Sequence, residues 1–203
     1  MKVLIATKNK GKIEKYSGIL KSLKIEYCTL EDIELNIEID EDGNNTTENA
    51  IIKAKAYYEN VQMPVLTDDS GLIIDKLPKD KQPGVFVRRY NGRELSDEEI
   101  IELYSKEIEK VGGESTGAFV ISIAIIDQQG NIRTKETKHT RLFISKPDVN
   151  RVPGYPLSSL VFDKEKNMYM TEKKKKGLNI YTQSTFAEEA EFIKTVLGGI
   201  DEE

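Results

Sequence analysis

Strands and helices alternate along the first third of this chain, and a long hairpin follows. A short apolar run at residues 2–6 precedes a helical pattern at residues 11–23, where apolar side chains recur at spacings of three or four. A second helical pattern covers residues 46–61. Residues 117–145 form two strand-like runs around a turn that contains Gly130. This order of elements predicts an α/β fold with a mixed sheet.

Weaker patterns predict the remaining elements. A strand is expected at residues 24–30, and the segment at residues 64–75 predicts a strand, a polar break and a second strand. Residues 85–90 favour a helical turn. Residues 95–113 predict a capped helix that ends at a glycine pair, and residues 185–197 predict a final amphipathic helix.

Length and composition limit the classes of function. With 203 residues and no clear linker, we expect a single domain over residues 1–203, arranged as two lobes with a cleft between them. The formal net charge of -5 argues against a general nucleic-acid binder. No apolar stretch approaches the roughly 20 residues of a membrane span, and the N-terminus lacks a secretory pattern. We therefore expect a cytoplasmic protein that contacts neither nucleic acid nor membrane.

The segment "ATKNKGK" follows the first predicted strand. Small polar residues and a glycine at the start of a helix offer backbone N–H groups to a phosphate, and Thr7 and Asn9 add side-chain donors. Lys12 falls in the first helical turn, where positive charge is unfavourable for the helix dipole, which suggests that an anion binds there. The alternative is a solvated lysine run. The glycine spacing matches neither the Walker loop nor the dinucleotide fingerprint.

The segment "TDDSG" at residues 67–71 places Asp68 and Asp69 side by side after an apolar strand. Carboxylates clustered at a strand end suit Mg²⁺, which prefers a few hard oxygen ligands together with water and substrate phosphate. One of the two could serve instead as the general base for an attacking water. The alternative is an ordinary Asp-Ser-Gly turn with acids that face solvent.

Three further residues extend this pattern. Glu41 precedes the second helix, and Lys53 lies at the edge of that helix's apolar stripe, where it could line a cleft. Arg89 follows a Pro-Gly corner; arginine suits phosphate, although a surface ion pair is its usual role. Anion-binding groups combined with metal-binding acids indicate phosphate chemistry with Mg²⁺.

These motifs resemble those of the inosine triphosphate pyrophosphatase family, enzymes that hydrolyse non-standard purine nucleoside triphosphates. The family's motifs occur in the family's order over about 90 residues. The residues that match the four motifs are Thr7, Asn9, Gly11 and Lys12; Glu41 and Lys53; Asp68, Asp69, Ser70, Gly71 and Leu72; and Pro83, Gly84, Val85, Phe86, Arg89 and Tyr90.

The resemblance implies a mixed, strongly curved sheet, two lobes with a central cleft, and a homodimer. It implies Mg²⁺-dependent hydrolysis to a nucleoside monophosphate and pyrophosphate, with Asp69 as catalytic base or metal-organising acid. The implied catalytic residues are Asp69, Lys12 and Lys53, and the implied metal ligands are Glu41, Asp68 and Asp69. The implied substrate contacts are Thr7, Asn9, Lys12, Ser70, Arg89 and Tyr155.

Departures from the family lie in the base-recognition half. The family's Gly-aromatic-Asp-Pro keeps its aromatic residue as Tyr155 but has Pro156 in place of the acid, and its Ser-His-Arg is missing from residues 178–192. The absence of these polar side chains, which hydrogen-bond to the base in the family, should weaken selection for a 6-oxo purine by about 1–3 kcal/mol. Candidates to replace them are Lys173 to Lys176, in a segment expected to be a solvated loop, and Gln183.

A smaller departure is Lys15, which stands where the family often has glutamate. Two alternatives to a purine triphosphate pyrophosphatase remain. One is the same chemistry on modified pyrimidine nucleotides, as in the distant septum-formation relatives that share the fold. The other is a nucleotide-binding protein without turnover. The intact acids and lysines of the first half favour an enzyme.

Overall fold

The computed structural model describes residues 2–90, 92–152, 155–177 and 186–198, without the side chains of Arg89, Tyr90 and Lys174. The helices are α1 (Lys10–Ser22), α2 (Thr46–Val61), α3 (Asp97–Lys110), α4 (Met170–Lys175) and α5 (Ala187–Leu197). The strands are β1 (Lys2–Ile5), β2 (Glu26–Thr29), β3 (Val65–Ile74), β4 (Arg89–Tyr90), β5 (Arg93–Glu94), β6 (Glu114–Ile126), β7 (Ile132–Ile144), β8 (Val161–Asp163) and β9 (Met168–Tyr169). Among the described helices, none has the length and apolar character that a membrane crossing requires.

The main sheet has the strand order β2-β1-β3-β6-β7-β8-β9. Strand β1 runs parallel to both β2 and β3, whereas β8 runs antiparallel to β7 and β9. Within β1, Val3 and Ile5 are buried in one apolar cluster and Leu4 is buried in another. Both faces of this strand are therefore covered, which explains its continuous apolar run. The mixed α/β sheet predicted from the sequence is confirmed.

The chain divides into two compact units. The first contains residues 1–70, 121–137 and 186–203, and the second contains residues 71–120 and 138–185. The division into two units agrees with the two predicted lobes, while the cleft and the single-domain assignment stay predictions. The core of the first unit includes Tyr16, Leu20, Leu66, Ile123 and Ile193. The core of the second includes Leu72, Ile100, Ile108, Phe143 and Leu160.

Strand β3 corrects the predicted break at residues 64–75. The strand continues through Asp68, Asp69 and Ser70. Its neighbours in the sheet are β1, which pairs with Val65 and Leu66, and β6. Pairing with β6 outweighs the local turn preference of Asp-Ser-Gly. The two carboxylates are consequently buried within a strand, not exposed in a loop.

Two other local predictions were wrong. Residues 85–90 contain turns and then strand β4, without the expected helical turn, because Gly84 and Leu72 exchange backbone hydrogen bonds of 2.9 Å and β4 pairs with β5. The lysine run enters α4 instead of a loop. Glu172 stabilises the start of this helix, since its side chain accepts a hydrogen bond of 3.0 Å from the backbone N–H of Tyr169.

Candidate active site

The loop after β1 is organised by its own polar side chains. Asn9 caps α1, because its Oδ1 accepts hydrogen bonds from the backbone N–H groups of Gly11 at 3.0 Å and Lys12 at 3.1 Å. Thr7 accepts a bond of 3.2 Å from the N–H of Asn9. The two residues predicted to bind phosphate thus set the conformation of the loop that begins α1.

Lys12 points from the first turn of α1 to the middle of β3. Its Nζ lies 3.0 Å from Oδ1 of Asp68, whose side chain is only 2% exposed. The hydroxyl of Tyr16, one turn further along α1, accepts a hydrogen bond of 3.3 Å from Lys15 Nζ. Burial raises the pKa of Tyr16 well above its ordinary value, and the Asp68 carboxylate raises it further, so the hydroxyl stays protonated and able to donate.

The neighbouring acid, Asp69, is held by α2. Lys53 donates to Oδ1 of Asp69 at 2.9 Å and to Oε2 of Glu41 at 2.8 Å. Asn49 precedes Lys53 by about one turn and donates to the other oxygen of Asp69 at 3.3 Å. The side-chain oxygen of Asn49 accepts a bond of 2.8 Å from the N–H of Gly43, which fixes the acidic loop that carries Glu41.

Gly43 is required at this position by space. A Cβ on Gly43 would lie 2.6 Å from Oδ1 of Asn49 and 2.7 Å from Cβ of Glu48, closer than real contacts allow. The loop can therefore approach the start of α2 only with glycine here. The same loop carries Glu41, whose side chain contacts Lys53 of α2.

The two members of the Lys53–Asp69 pair have shifted pKa values. Burial raises the pKa of Asp69, and this effect exceeds the lowering by Lys53. Burial lowers the pKa of Lys53, but Asp69 and Glu41 together outweigh it, so the net pKa of Lys53 is raised. A carboxylate with a raised pKa is a stronger base than an exposed one, which suits a group that accepts a proton from water.

The acids Glu41, Asp68 and Asp69 are hard oxygen donors of the kind that Mg²⁺ prefers. Among the described residues, no group of three or more His, Cys, Asp or Glu side chains is arranged to hold a metal by itself. Each of the three acids contacts a lysine instead. Because Mg²⁺ is commonly bound through one or two carboxylates plus substrate phosphates, the donor set fits such an ion once phosphate is present.

Most of the predicted site residues belong to the first unit: Thr7, Asn9, Lys12, Glu41, Lys53, Asp68, Asp69 and Ser70. Tyr155 belongs to the second unit, where it precedes a short 3₁₀ helix at Pro156–Ser159. The side chain of Arg89 and the whole of Gln183 lie outside the described residues. Of the lysines considered as substitutes for the family's base-recognition residues, Lys173 forms an ion pair with Asp163 in the second unit.

Sequence reasoning missed two contributors, Asn49 and Tyr16. Asn49 is 3% exposed on the buried face of α2, so the usable signal was an amide within an otherwise apolar stripe. Tyr16 gave no such signal, because its ring packs in the core as a simple apolar residue would. Its proximity to Asp68 shows in the pKa of its hydroxyl, which the carboxylate raises in addition to burial.

Comparison with known proteins identifies the family. The model of the Ham1 family matches residues 3–177. This chain belongs to the Ham1 family. The predicted resemblance to the inosine triphosphate pyrophosphatases is thereby confirmed, and the chain is a member of a family of nucleoside triphosphate pyrophosphatases.

Two curated relatives are each named dITP/XTP pyrophosphatase. The protein of Geobacter sulfurreducens is 34% identical over 172 residues, which cover 84% of each chain. The protein of Halalkalibacterium halodurans is 43% identical over 134 residues, which cover 62% of this chain and 64% of that protein. The second match thus spans slightly less than two thirds of the relative's length.

Solved structures agree on the fold of this Ham1 family member. A HAM1 protein from Coxiella burnetii has a TM-score of 0.75 at 23% identity, with 98% of each chain covered. The Ham1 protein of Staphylococcus aureus has a TM-score of 0.73 at 22% identity, with 96% of this chain and 99% of that chain covered.

Proposed function

We propose that this protein hydrolyses purine nucleoside triphosphates of the dITP and XTP type to a nucleoside monophosphate and pyrophosphate. The observation that carries the proposal is the pairing of adjacent buried acids on β3 with two lysines. Asp68 meets Lys12 from α1, and Asp69 meets Lys53 from α2. Cations that bind phosphate and acids that bind metal or activate water are thus side by side. The name of the curated relatives supports the same reaction.

The lysines have a role that depends on the substrate. Lys12 and Lys53 each contact a carboxylate, and a triphosphate offers oxygens with a higher negative charge. When it binds, the ammonium groups turn toward the phosphates by rotating flexible side chains. This exchange leaves carboxylate oxygens of Glu41, Asp68 and Asp69 available to a metal ion.

Asp69 is assigned as the base. Water attacks the α-phosphorus, the new phosphorus–oxygen bond forms as the bond to the bridging oxygen breaks, and pyrophosphate leaves. Asp69 accepts the proton that the water loses, which its raised pKa favours. Lys12 and Lys53 stabilise the charge that develops on the phosphate oxygens. A divalent metal ion, when bound, would neutralise phosphate charge, and the hard oxygen donors make Mg²⁺ the proposed ion.

Base choice is the part of the proposal in which this chain departs from its family. Pro156, which is buried in the structure, replaces the family's acid, and no His-Arg pair precedes α5. Tyr155 keeps the aromatic face on which a base can stack. The proposal therefore includes a weak preference for 6-oxo purines. It also includes the homodimer implied by the resemblance, which light scattering on the purified chain measures.

Pyrophosphate release tests the reaction. The purified chain is incubated with dITP, XTP, ATP, GTP and modified pyrimidine triphosphates, with Mg²⁺ or with a chelator. Metal-dependent release from purine triphosphates is the expected result. Release from pyrimidine triphosphates alone would favour the pyrimidine alternative. Tight binding without release from any of them would favour a nucleotide-binding protein.

A further inference from the structure

A buried carboxylate in the second unit connects the loop that carries Tyr155 to helix α4. Asp148 is 7% exposed, and its Oδ2 accepts a hydrogen bond from the hydroxyl of Thr171, which is on α4 and 1% exposed. Asn150 donates to both carboxylate oxygens at 3.2 Å. The Oδ1 of Asn150 in turn accepts a bond of 3.2 Å from Nζ of Lys175, also on α4. Two residues on one face of α4 therefore hold this loop.

The backbone of the same loop closes on Asp148. The N–H of Asp148 donates to the carbonyl of Ser159 at 2.8 Å. Between these residues, the carbonyl of Tyr155 accepts hydrogen bonds from the backbone N–H of Ser158 at 3.1 Å and from its hydroxyl at 2.6 Å. The N–H of Tyr155 donates to the carbonyl of Val152 at 2.9 Å. The backbone at Tyr155 is thus fixed inside a loop whose ends, Asp148 and Ser159, are hydrogen-bonded to each other.

Arg151 attaches the loop to α3. Its Nε lies 2.7 Å from Oε1 of Glu98, and its Nη2 lies 3.3 Å from Oε2. Its Nη1 donates to the carbonyl of Asp148. Because the pair with Glu98 is exposed, it contributes little to stability by itself. The buried contacts of Asp148 therefore decide where the loop lies.

Position 148 requires a side chain that only accepts hydrogen bonds. Burial raises the pKa of Asp148, but the hydrogen bonds from Thr171 and Asn150 outweigh burial, and the net pKa is lowered. An amide at this position would direct an N–H₂ group at one of the two donors. Asn150 cannot reverse its own amide to compensate, because its oxygen faces Lys175, which has only donors. A satisfied buried network of this kind specifies one arrangement of the segments that it joins.

We infer that Asp148 is a positioning residue that places Tyr155 for stacking on the base of the bound nucleotide. This rests on the proposed function, in which Tyr155 stacks on the base. Asp148 connects the loop to α4, and the loop fixes the backbone from which the ring of Tyr155 projects. Loss of the Asp148 carboxylate should therefore remove part of the affinity that the ring supplies. Ligands without a base should be unaffected.

Calorimetric titration with two ligands tests the inference. One is a non-hydrolysable purine triphosphate, and the other is inorganic triphosphate, which has no base. Asp148→Asn should weaken nucleotide binding about five- to tenfold, within the roughly 5–150-fold loss that stacking energies set for Tyr155→Ala. Inorganic triphosphate should bind as it does to the parent.

A second variant avoids any change at position 148. Thr171→Val conserves the shape of the side chain and removes only its hydrogen-bond donor. It should weaken nucleotide binding to a similar degree as Asp148→Asn. Thr171→Ser keeps the donor and should bind the nucleotide as the parent does. Tm is measured for each variant, so that a loss of stability is separated from a loss of affinity.

A double-mutant cycle tests whether Asp148 acts through Tyr155. In the Tyr155→Ala background, Asp148→Asn should cause no further loss of nucleotide affinity, because the ring that it positions is gone. Val149→Ala is the matched control, since Val149 adjoins Asp148 but is 90% exposed. This control should bind both ligands as the parent does.

Parental nucleotide affinity in Asp148→Asn and Thr171→Val would overturn the inference. Equal losses for the nucleotide and inorganic triphosphate would do so too, as would additive losses in the cycle or parental affinity in Tyr155→Ala. The proposed function fails separately, if the parent protein releases no pyrophosphate from any triphosphate. Binding of a non-hydrolysable ligand requires no turnover, so the two failures are distinguishable.

Discussion

Lys53 Nζ lies 2.9 Å from Oδ1 of Asp69, although the two residues come from different elements, α2 and β3. The same nitrogen lies 2.8 Å from Glu41, so a single cation holds two acids. The side chains of Lys53 and Asp69 are 14% and 12% exposed, which makes the pair mostly desolvated. Removal of the cation would leave two acids close together without compensation.

Lys53→Met should therefore lower the free energy of unfolding by about 1–3 kcal/mol. Thermal or urea unfolding measures the loss. Lys55→Met is the matched control, because Lys55 is exposed on the same helix and should change stability by less than about 0.5 kcal/mol. Equal stability of the two variants would show that the cation is not needed to hold Glu41 and Asp69.

Asp69→Asn should lower kcat by about 10²–10⁴-fold while the fold is retained, because an amide cannot accept the proton of the attacking water. Steady-state kinetics at saturating Mg²⁺ and a thermal melt measure the two effects. Asp80→Asn, the loss of an exposed carboxylate, serves as the control. Near-parental kcat in Asp69→Asn would remove Asp69 from the catalytic role.

Lys12→Ala should weaken triphosphate binding about 10–100-fold, the value of a lost charge-assisted hydrogen bond of roughly 1.5–3 kcal/mol. The affinity for the nucleoside should change little. Calorimetric titration with a non-hydrolysable triphosphate and with the nucleoside compares the two. Lys10→Ala, exposed at the first residue of the same helix, is the control. Equal affinity of Lys12→Ala and the parent would assign Lys12 to its ion pair with Asp68 alone.

Tyr155→Ala should raise KM by similar factors for every accepted nucleotide, since stacking contributes about 1–3 kcal/mol without reading the identity of the base. In the parent, the ratio of kcat/KM for dITP over ATP should stay below about a hundredfold, or ~2.7 kcal/mol. Steady-state kinetics across the bases measure both. A larger ratio would show that other residues read the 6-oxo group.

The lowered pKa of Glu99 makes the stability of the fold depend on pH. Arg93, followed by the N–H and hydroxyl of Ser96, lowers the pKa of Glu99 from 4.5 to about 2. A lowered pKa means that its ionised form stabilises the fold above pH 4.5, and that this contribution is lost as the pH falls toward 2. Glu99→Gln should lower Tm at pH 7 but not near pH 2, whereas Glu102→Gln should show little difference. A Tm deficit that is constant with pH would contradict the prediction.

Local periodicity predicted the elements whose pattern of apolar residues matches the secondary structure that they adopt in the fold. Helix α2 was predicted with its observed bounds, 46–61, because its apolar stripe lies within the segment, although the residue that caps it is Asn45, immediately before the segment. The hairpin of β6 and β7 was predicted because its turn at Gly130 separates two strand patterns. Prediction was wrong where a distant partner decided the outcome. At residues 68–71 the turn signal was overruled by pairing with β6, a neighbour that a local window does not contain.

The sequence by itself determined the family and the mixed α/β fold, because the order and spacing of its motifs and the alternation of its elements are properties of the chain alone. It also supplied the acids and lysines of the candidate site. Only the tertiary structure decided that Asp68 pairs with Lys12, that Asp69 pairs with Lys53, and that Lys15 pairs with Glu189. These contacts depend on how α1, α2 and α5 pack near β3, and packing geometry is set by the whole core and not by any single segment.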